Sequence, residues 1–501
     1  MPALPWPTLD LAMAELRALS GVASLLQWDQ ETYMPPRGGT ARADQVAAIP
    51  GILHDRLTAP EVLDALARAE AEQAADPDRA AILSALRFDV DRAVRVPGEL
   101  VRALAAAQSA AVEVWKEARA ESRFDRFAPR LEELLRLRRE QADAIGVPQG
   151  GERYDALLEG YEPGMRVARL EAVFARLTGW LRPVVDRLAG LPPPPDAFLR
   201  RRFDAEAQWG FTLELLGTLG FDLDAGRQDR SIHPFTLSAD PGDVRLTTRI
   251  FEELPLSAIF STLHEAGHGL YEQGLPAEHR RDVLCAAPSM GIHESQSRLW
   301  ENLVGRSLPF WRAFLPALAR RFPGLAGVSP EAFHRAANRV ERSLVRVEAD
   351  EVTYNLHIVL RFELELALVR GDLAVPDLPG AWNDASARIL GVRPPDDRDG
   401  VLQDIHWAWG EFGYFPTYAL GNLYAAQLFA AARRDLAGLD DEIGRGRLHP
   451  LRDWLRERVH PIGRRLDAEE IVRAATGEGL SDAAFERYVR EKYGALYGVA
   501  L

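Results

Sequence analysis

Apolar residues recur at three- and four-residue spacing along most of the chain, the signature of amphipathic helices. Helices are expected over 8–25, 40–56, 61–72, 78–94, 97–120 and 128–145. In the last of these, Leu131, Leu134, Leu135, Leu137 and Ala142 form one stripe between charges. Pro and Gly mark loops at 148–151 and 161–164. The sharpest break is Gly190-Leu191-Pro192-Pro193-Pro194-Pro195-Asp196, because consecutive prolines cannot continue a helix. It suggests an N-terminal helical part over 1–190 and a second part over 191–501 within one unit spanning 1–501. One stretch departs from the helical period. Val244, Leu246, Thr248 and Ile250 alternate with Arg245, Thr247 and Arg249 behind the turn-forming Asp240-Pro241-Gly242-Asp243, which predicts a small hairpin or sheet within 231–250. The expected fold is mainly α.

Composition narrows the function classes. Of 501 residues, 47% are apolar and 27% charged, which excludes a disordered or collagen-like chain. No apolar run approaches the roughly 18 residues a membrane span needs. The start, MPALPWPTLDLAMAEL, lacks a basic segment followed by an apolar block, so no secretory signal is expected. The net charge of −14 repels phosphate backbones and argues against nucleic acid as a partner. The lone Cys285 forbids an intrachain disulfide, fits a cytoplasmic protein and reads as a small core residue.

The chemistry concentrates after the predicted sheet. His264-Glu265-Ala266-Gly267-His268 lies in a stretch where Leu256, Ile259, Phe260, Leu263 and Leu270 follow a helical spacing. Histidines four apart share one face of a helix, and both imidazoles can reach one ion. Glu265 is then adjacent without being a ligand. A zinc hydrolase needs this arrangement: two ligands and a carboxylate that takes a proton from activated water. Gly267 and Gly269 each cost about 1 kcal/mol inside a helix, so something must approach closely there. A catalytic zinc takes a third protein ligand. Glu294, on the expected helix over 291–302, is the first candidate; Glu301, Glu272 and His293 are the others. For Glu294 a ligand role competes with an ion pair to Arg298.

Several separate motifs give the chain a family resemblance. They are Leu25-Leu26-Gln27-Trp28-Asp29-Gln30-Glu31-Thr32-Tyr33-Met34-Pro35 near the start, His233-Pro234-Phe235, Asp243-x-Arg245-x-Thr247, the 264–268 motif, His293-Glu294-Ser295-Gln296, Arg346-x-x-Ala349-Asp350, and Gly400-x-x-Gln403-Asp404-x-His406-Trp407. In that order and nearly end to end, the chain resembles the carboxypeptidase Taq family of metallocarboxypeptidases. The resemblance implies His264, His268 and Glu294 as ligands of one zinc or cobalt ion and Glu265 as general base. It implies an almost all-helical, two-lobed body with a deep groove, similar to the neurolysin and angiotensin-converting-enzyme group. It further implies a homodimer that removes single residues from the free C-termini of peptides with broad specificity.

Other residues are assigned by their chemistry. His406, then Tyr414 and Tyr418, are candidate donors to a developing oxyanion. The planar guanidinium of Arg346 suits a free α-carboxylate, and so does that of Arg245. Arg346 is expected in a helical run over 341–368, where an i,i+4 pair with Asp350 is the structural alternative. Arg245, on the strand beside the zinc motif, could instead close the groove, and His233 could shape its end. Rival readings keep the zinc core and change the cut, to an oligoendopeptidase or a dipeptidyl carboxypeptidase. A different class of reading is a peptide-binding helical scaffold without catalysis.

Overall fold

The computed structural model describes residues 4–72 and 76–501. Among these residues lie twenty α-helices and one three-stranded sheet. The helices expected in the N-terminal third are present as Pro5–Thr32, Gly39–Leu57, Pro60–Ala71, Pro77–Arg95, Gly98–Glu121 and Phe124–Ile145. Three begin on proline, whose missing N–H costs nothing in the first turn. Among the described residues, no helix is long and apolar enough to cross a membrane.

The proline run at 192–195 lies in an irregular connector. The main apolar core nevertheless continues across it, from Val96 to Tyr493, and includes the buried Cys285. A smaller apolar cluster joins Leu9, Met13, Val62, Leu66, Leu86 and Val90 of the first helices to Leu284.

The sheet occupies the predicted place and gains a strand. β2 (Thr236–Asp240) and β3 (Asp243–Thr248) form the antiparallel hairpin, and β1 (Gly226–Arg230) runs parallel to β3 in the order β1-β3-β2. The first helix packs on β2, and β3 packs on the helix Pro255–Glu272 that carries the HEAGH motif. A returning helix, Met290–Arg298, runs on into a π-helical turn, Leu299–Gly305. It lies between the HEAGH helix and the helix Pro416–Asp435.

The segment around Arg346 is not the helix its apolar spacing suggested. Residues 341–353 are irregular apart from a 3₁₀ turn at Arg346–Glu348, and the helix begins only at Tyr354. Side chains have taken over the backbone donors. Asp350 accepts the N–H groups of Glu341, Val352 and Thr353. Gln403 accepts that of Arg346 at 2.8 Å. A backbone satisfied this way gains nothing by becoming helical.

Candidate active site

Two helices bring a candidate metal cluster together. His264 and His268 project from one face of the HEAGH helix, and Glu294 comes from the returning helix. One ligand atom from each lies within 4.8 Å of the others. Glu294 Oε2 is 3.7 Å from His264 Nε2 and 3.4 Å from His268 Nε2. The alternatives for Glu294 turn out to be compatible: Oε2 faces the imidazoles, while Oε1 accepts from Arg298 at 2.6 Å. Burial opposes the Glu294 charge, but Arg298 and the two imidazoles hold its carboxyl well below the usual range.

Small residues permit this approach. A Cβ on Gly267 would stand 2.6 Å from Ser297 Cα, so only glycine lets the HEAGH and returning helices touch there. On the opposite flank, a Cβ on Gly421 would meet Glu294 Cγ at 2.5 Å and Cβ at 2.7 Å. The helix carrying Glu294 is thus held between two glycine faces.

The other sequence candidates form the support of the cluster. His264 Nδ1 bonds Glu301 Oε2 at 2.9 Å. His268 Nδ1 bonds His293 Nδ1 at 2.6 Å, and His293 Nε2 bonds Glu272 Oε1 at 2.9 Å. Glu301 also accepts from Arg298 and Arg306. Although burial raises it, those cations bring the Glu301 carboxyl down to about 2. With each Nδ1 donating outward, both Nε2 lone pairs aim at one point beside Glu294. Two imidazole nitrogens and a carboxylate oxygen, oriented by outer partners, form a donor set suited to zinc or a similar divalent ion. Glu265 sits beside the cluster, and Thr236 of β2 donates to its Oε2 at 2.7 Å. Burial raises its pKa above the ordinary value.

A groove of about 720 Å³ reaches the cluster through His264 and Glu265. Arg298, Arg346 and Tyr354 also line it, and Leu254, Leu256, Phe260 and Val347 give it apolar surface. Arg346 is heavily committed. Its Nε and NH2 donate to Asp404 at 3.0 and 2.8 Å, and NH1 donates to the Tyr354 hydroxyl at 2.9 Å. Asp404 is shared with the fully buried Arg361. The partner of Arg346 is therefore Asp404, not Asp350.

His406 is buried, and its Nε2 bonds the Tyr418 hydroxyl at 3.0 Å. Burial and the nearby Arg346 lower its pKa to about 3, so the ring is neutral. Tyr414 packs against Tyr418 with ring centroids 5.2 Å apart, and both phenols feel the Glu294 charge. The two tyrosines and His406 thus belong to one cluster beside the triad.

Arg245 and His233 lie away from this centre. Arg245 chelates Asp243 at 2.8 and 3.0 Å, and its guanidinium covers the Trp28 ring at 4.3 Å. Arg227 covers the same ring at 5.0 Å. This stack ties the first helix to the sheet and gives a place to Trp28, to which the sequence assigned no chemistry. Arg245 does not line the groove. His233 is exposed beside Pro234, which does. The sequence reading passed over Arg249 and Thr236. Arg249 entered it only as a polar member of the strand alternation, and Thr236 had no motif signal of its own.

A helical body that buries such a donor set beside a carboxylate, and opens it to a peptide-sized groove, defines a metallopeptidase. Comparison with known proteins fixes the branch. The family model described as carboxypeptidase Taq (M32) metallopeptidase matches residues 8–493. The thermostable carboxypeptidase 1 of Thermus thermophilus is 48% identical over 495 residues, covering 97% of each chain. Carboxypeptidase 1 of Bacillus subtilis is 37% identical, covering 95% of this chain and 96% of that one. The crystal structure of the M32 carboxypeptidase from Deinococcus radiodurans R1 superposes with a TM-score of 0.96 at 41% identity, over 99% of this chain and 100% of that one. The chain belongs to the carboxypeptidase Taq (M32) family, and it is a metallocarboxypeptidase, a peptide hydrolase.

Proposed function

We propose that the enzyme is a zinc-dependent, broad-specificity carboxypeptidase, with cobalt as the alternative ion, acting as one catalytic unit over the whole chain. The observation that carries this reading is the oriented His264–His268–Glu294 cluster with Glu265 beside it at the groove. A divalent ion held by those three residues supplies the Lewis acidity that activates water and polarises the scissile carbonyl. Glu265 accepts the proton of the attacking water and returns it to the leaving amine. Its raised pKa brings it closer to neutral pH, where a general base works best. Thr236 holds its carboxylate in place.

The Tyr414 and Tyr418 hydroxyls are the proposed donors to the developing oxyanion. His406 acts through Tyr418: when its Nε2–H donates to the phenolic oxygen, the Tyr418 proton is free to turn toward substrate. Arg346 shapes the groove wall next to Tyr354, and His233 borders the rim. Arg245 braces the sheet through Trp28. We further read the enzyme as a cytoplasmic homodimer. The lone cysteine, which cannot form an intrachain disulfide, accords with a reducing compartment.

The test uses one N-acetylated peptide as free acid and as C-terminal amide, digested by metal-loaded enzyme and read by mass spectrometry. A ladder of single-residue losses from the acid alone is expected. Internal cuts, dipeptide losses or equal cutting of the amide would refute it. Glu265→Gln should retain the metal and lose about 10²–10⁴ in turnover.

A further inference from the structure

Six arginines line the groove: Arg200, Arg249, Arg298, Arg306, Arg339 and Arg346. A free peptide α-carboxylate needs a guanidinium whose fork is available, and five of the six are already engaged. Arg200 chelates Asp196 at 2.9 and 3.0 Å. Arg298 is held by Glu294 and Glu301, and Arg306 by Asn302, Glu301 and the Ala337 carbonyl. Arg339 pairs with Glu341 at 2.5 Å. Every guanidinium nitrogen of Arg346 is hydrogen-bonded to Asp404 or Tyr354.

Arg249 differs from all of them. Its acidic contact is one long bond from NH2 to Glu348 at 3.4 Å, and the Glu348 side chain is 61% exposed. Among the described residues, Nε and NH1 have no hydrogen-bond partner. The guanidinium is nonetheless placed: it lies over the Phe251 ring at 5.0 Å and is only 26% exposed. The backbone just before it is fixed to the catalytic helix, because the Thr248 and Ser261 hydroxyls bond at 2.7 Å. Ser261 precedes Glu265 by about one helical turn, some 6 Å. Arg249, Ser261 and Glu265 line the same groove, so the guanidinium faces the space a terminal residue would fill.

We propose that Arg249 receives the α-carboxylate of the peptide and that Glu348 is the internal carboxylate it exchanges for the substrate. The assignment rests on the carboxypeptidase reading above and names the residue that makes it an exopeptidase. Such a grip acts in the ground state and the transition state alike, so its loss falls mainly on KM.

The test compares free-acid and amide peptides on metal-loaded wild type, Arg249→Ala, Arg249→Lys and Glu348→Gln. Arg249→Ala should lose at least about 100-fold in kcat/KM on the acid, mostly through KM, and with it the preference for acid over amide. Arg249→Lys keeps the charge without the fork and should recover part of the loss. Glu348→Gln removes the competitor and should lower KM for the acid. If wild type cuts acid and amide alike, the exopeptidase reading itself falls. If wild type discriminates and Arg249→Ala discriminates equally, Arg249 is not the anchor. A KM unchanged or raised in Glu348→Gln overturns the exchange.

Discussion

Replacing Gly421 with alanine should separate metal binding from folding. Gly421 lies in the helix Pro416–Asp435, where it faces Glu294, the proposed carboxylate ligand, across a close helix contact. The new Cβ would stand 2.5 Å from Glu294 Cγ, 2.7 Å from its Cβ and 3.1 Å from its carbonyl carbon. Carbon atoms pack at about 3.5–4.0 Å, so roughly 1 Å must be found. The backbone and the first carbons of a buried side chain cannot simply swing away. Either the returning helix shifts or Glu294 leaves its rotamer. Overpacking costs about 1–3 kcal/mol, and alanine in a helix returns about 1 kcal/mol, so the net loss of stability is at most about 2 kcal/mol. Metal coordination tolerates only about 0.2 Å, and displaced outer groups already cost about 10–100-fold in affinity. Gly421→Ala should therefore fold with a slightly lowered Tm and bind the metal at least about tenfold more weakly in a competition titration against a chromophoric chelator. Gly179→Ala is the control: nothing lies within 4 Å of its added Cβ, so it should gain up to about 1 kcal/mol and leave the metal alone. Wild-type metal affinity in a folded Gly421→Ala protein would refute the reasoning.

Three other outcomes follow from the same structure. Asp404→Asn leaves Arg346 and Arg361 buried without a counter-charge and should cost about 3–5 kcal/mol in denaturant titration; an unshifted midpoint would contradict the pairing. Burial pushes the Glu162 carboxyl from 4.5 up to about 7. The unfolded chain ionises first there, so stability should fall as pH rises from about 4.5 to 7, and this group adds no slope below or above that window. Glu162→Gln should flatten that part of the melting curve against pH, and an unchanged slope would count against it. Chelation should abolish turnover and lower the Tm, because an ion at 100 times its Kd adds about 2.7 kcal/mol to the fold; a Tm indifferent to the chelator would remove the triad as the binding set.

The parts of the molecule that depend on local periodicity were legible in the sequence. The helices of the first third, the 236–248 hairpin and the shared face of His264 and His268 all follow from 3.6- and two-residue spacing. The costly Gly267 signalled a close neighbour before Ser297 could be named. β1 was not legible, because Gly226-Arg227-Gln228-Asp229-Arg230 has no apolar alternation. It is held by parallel pairing with β3 and by distant polar partners: Gln228 bonds Thr212, and Asp229 accepts from Tyr33. The 341–353 segment failed the opposite way. Its apolar spacing continued a helix, yet one carboxylate, Asp350, captured three backbone N–H groups.

Charge pairing explains why the candidate metal cluster was easier to read than the groove. The proposed ligands His264 and His268 are set by one helix, and Glu294 by the next α-helix, which follows the connector over 273–289. The freedom of an arginine is set by acids far along the chain. Arg346 matches a motif and has the right chemistry for a carboxylate, yet Asp404, fifty-eight residues later, already occupies it. Arg249 matches no special pattern and is left open because its one acidic contact, Glu348, is exposed and bonds it only at 3.4 Å. A motif can thus mark a residue that builds the wall of a site, while the residue proposed to meet the substrate is the one the fold pairs most loosely. Selection of a binding arginine is a question about absent partners, and only the folded arrangement of all the acids answers it.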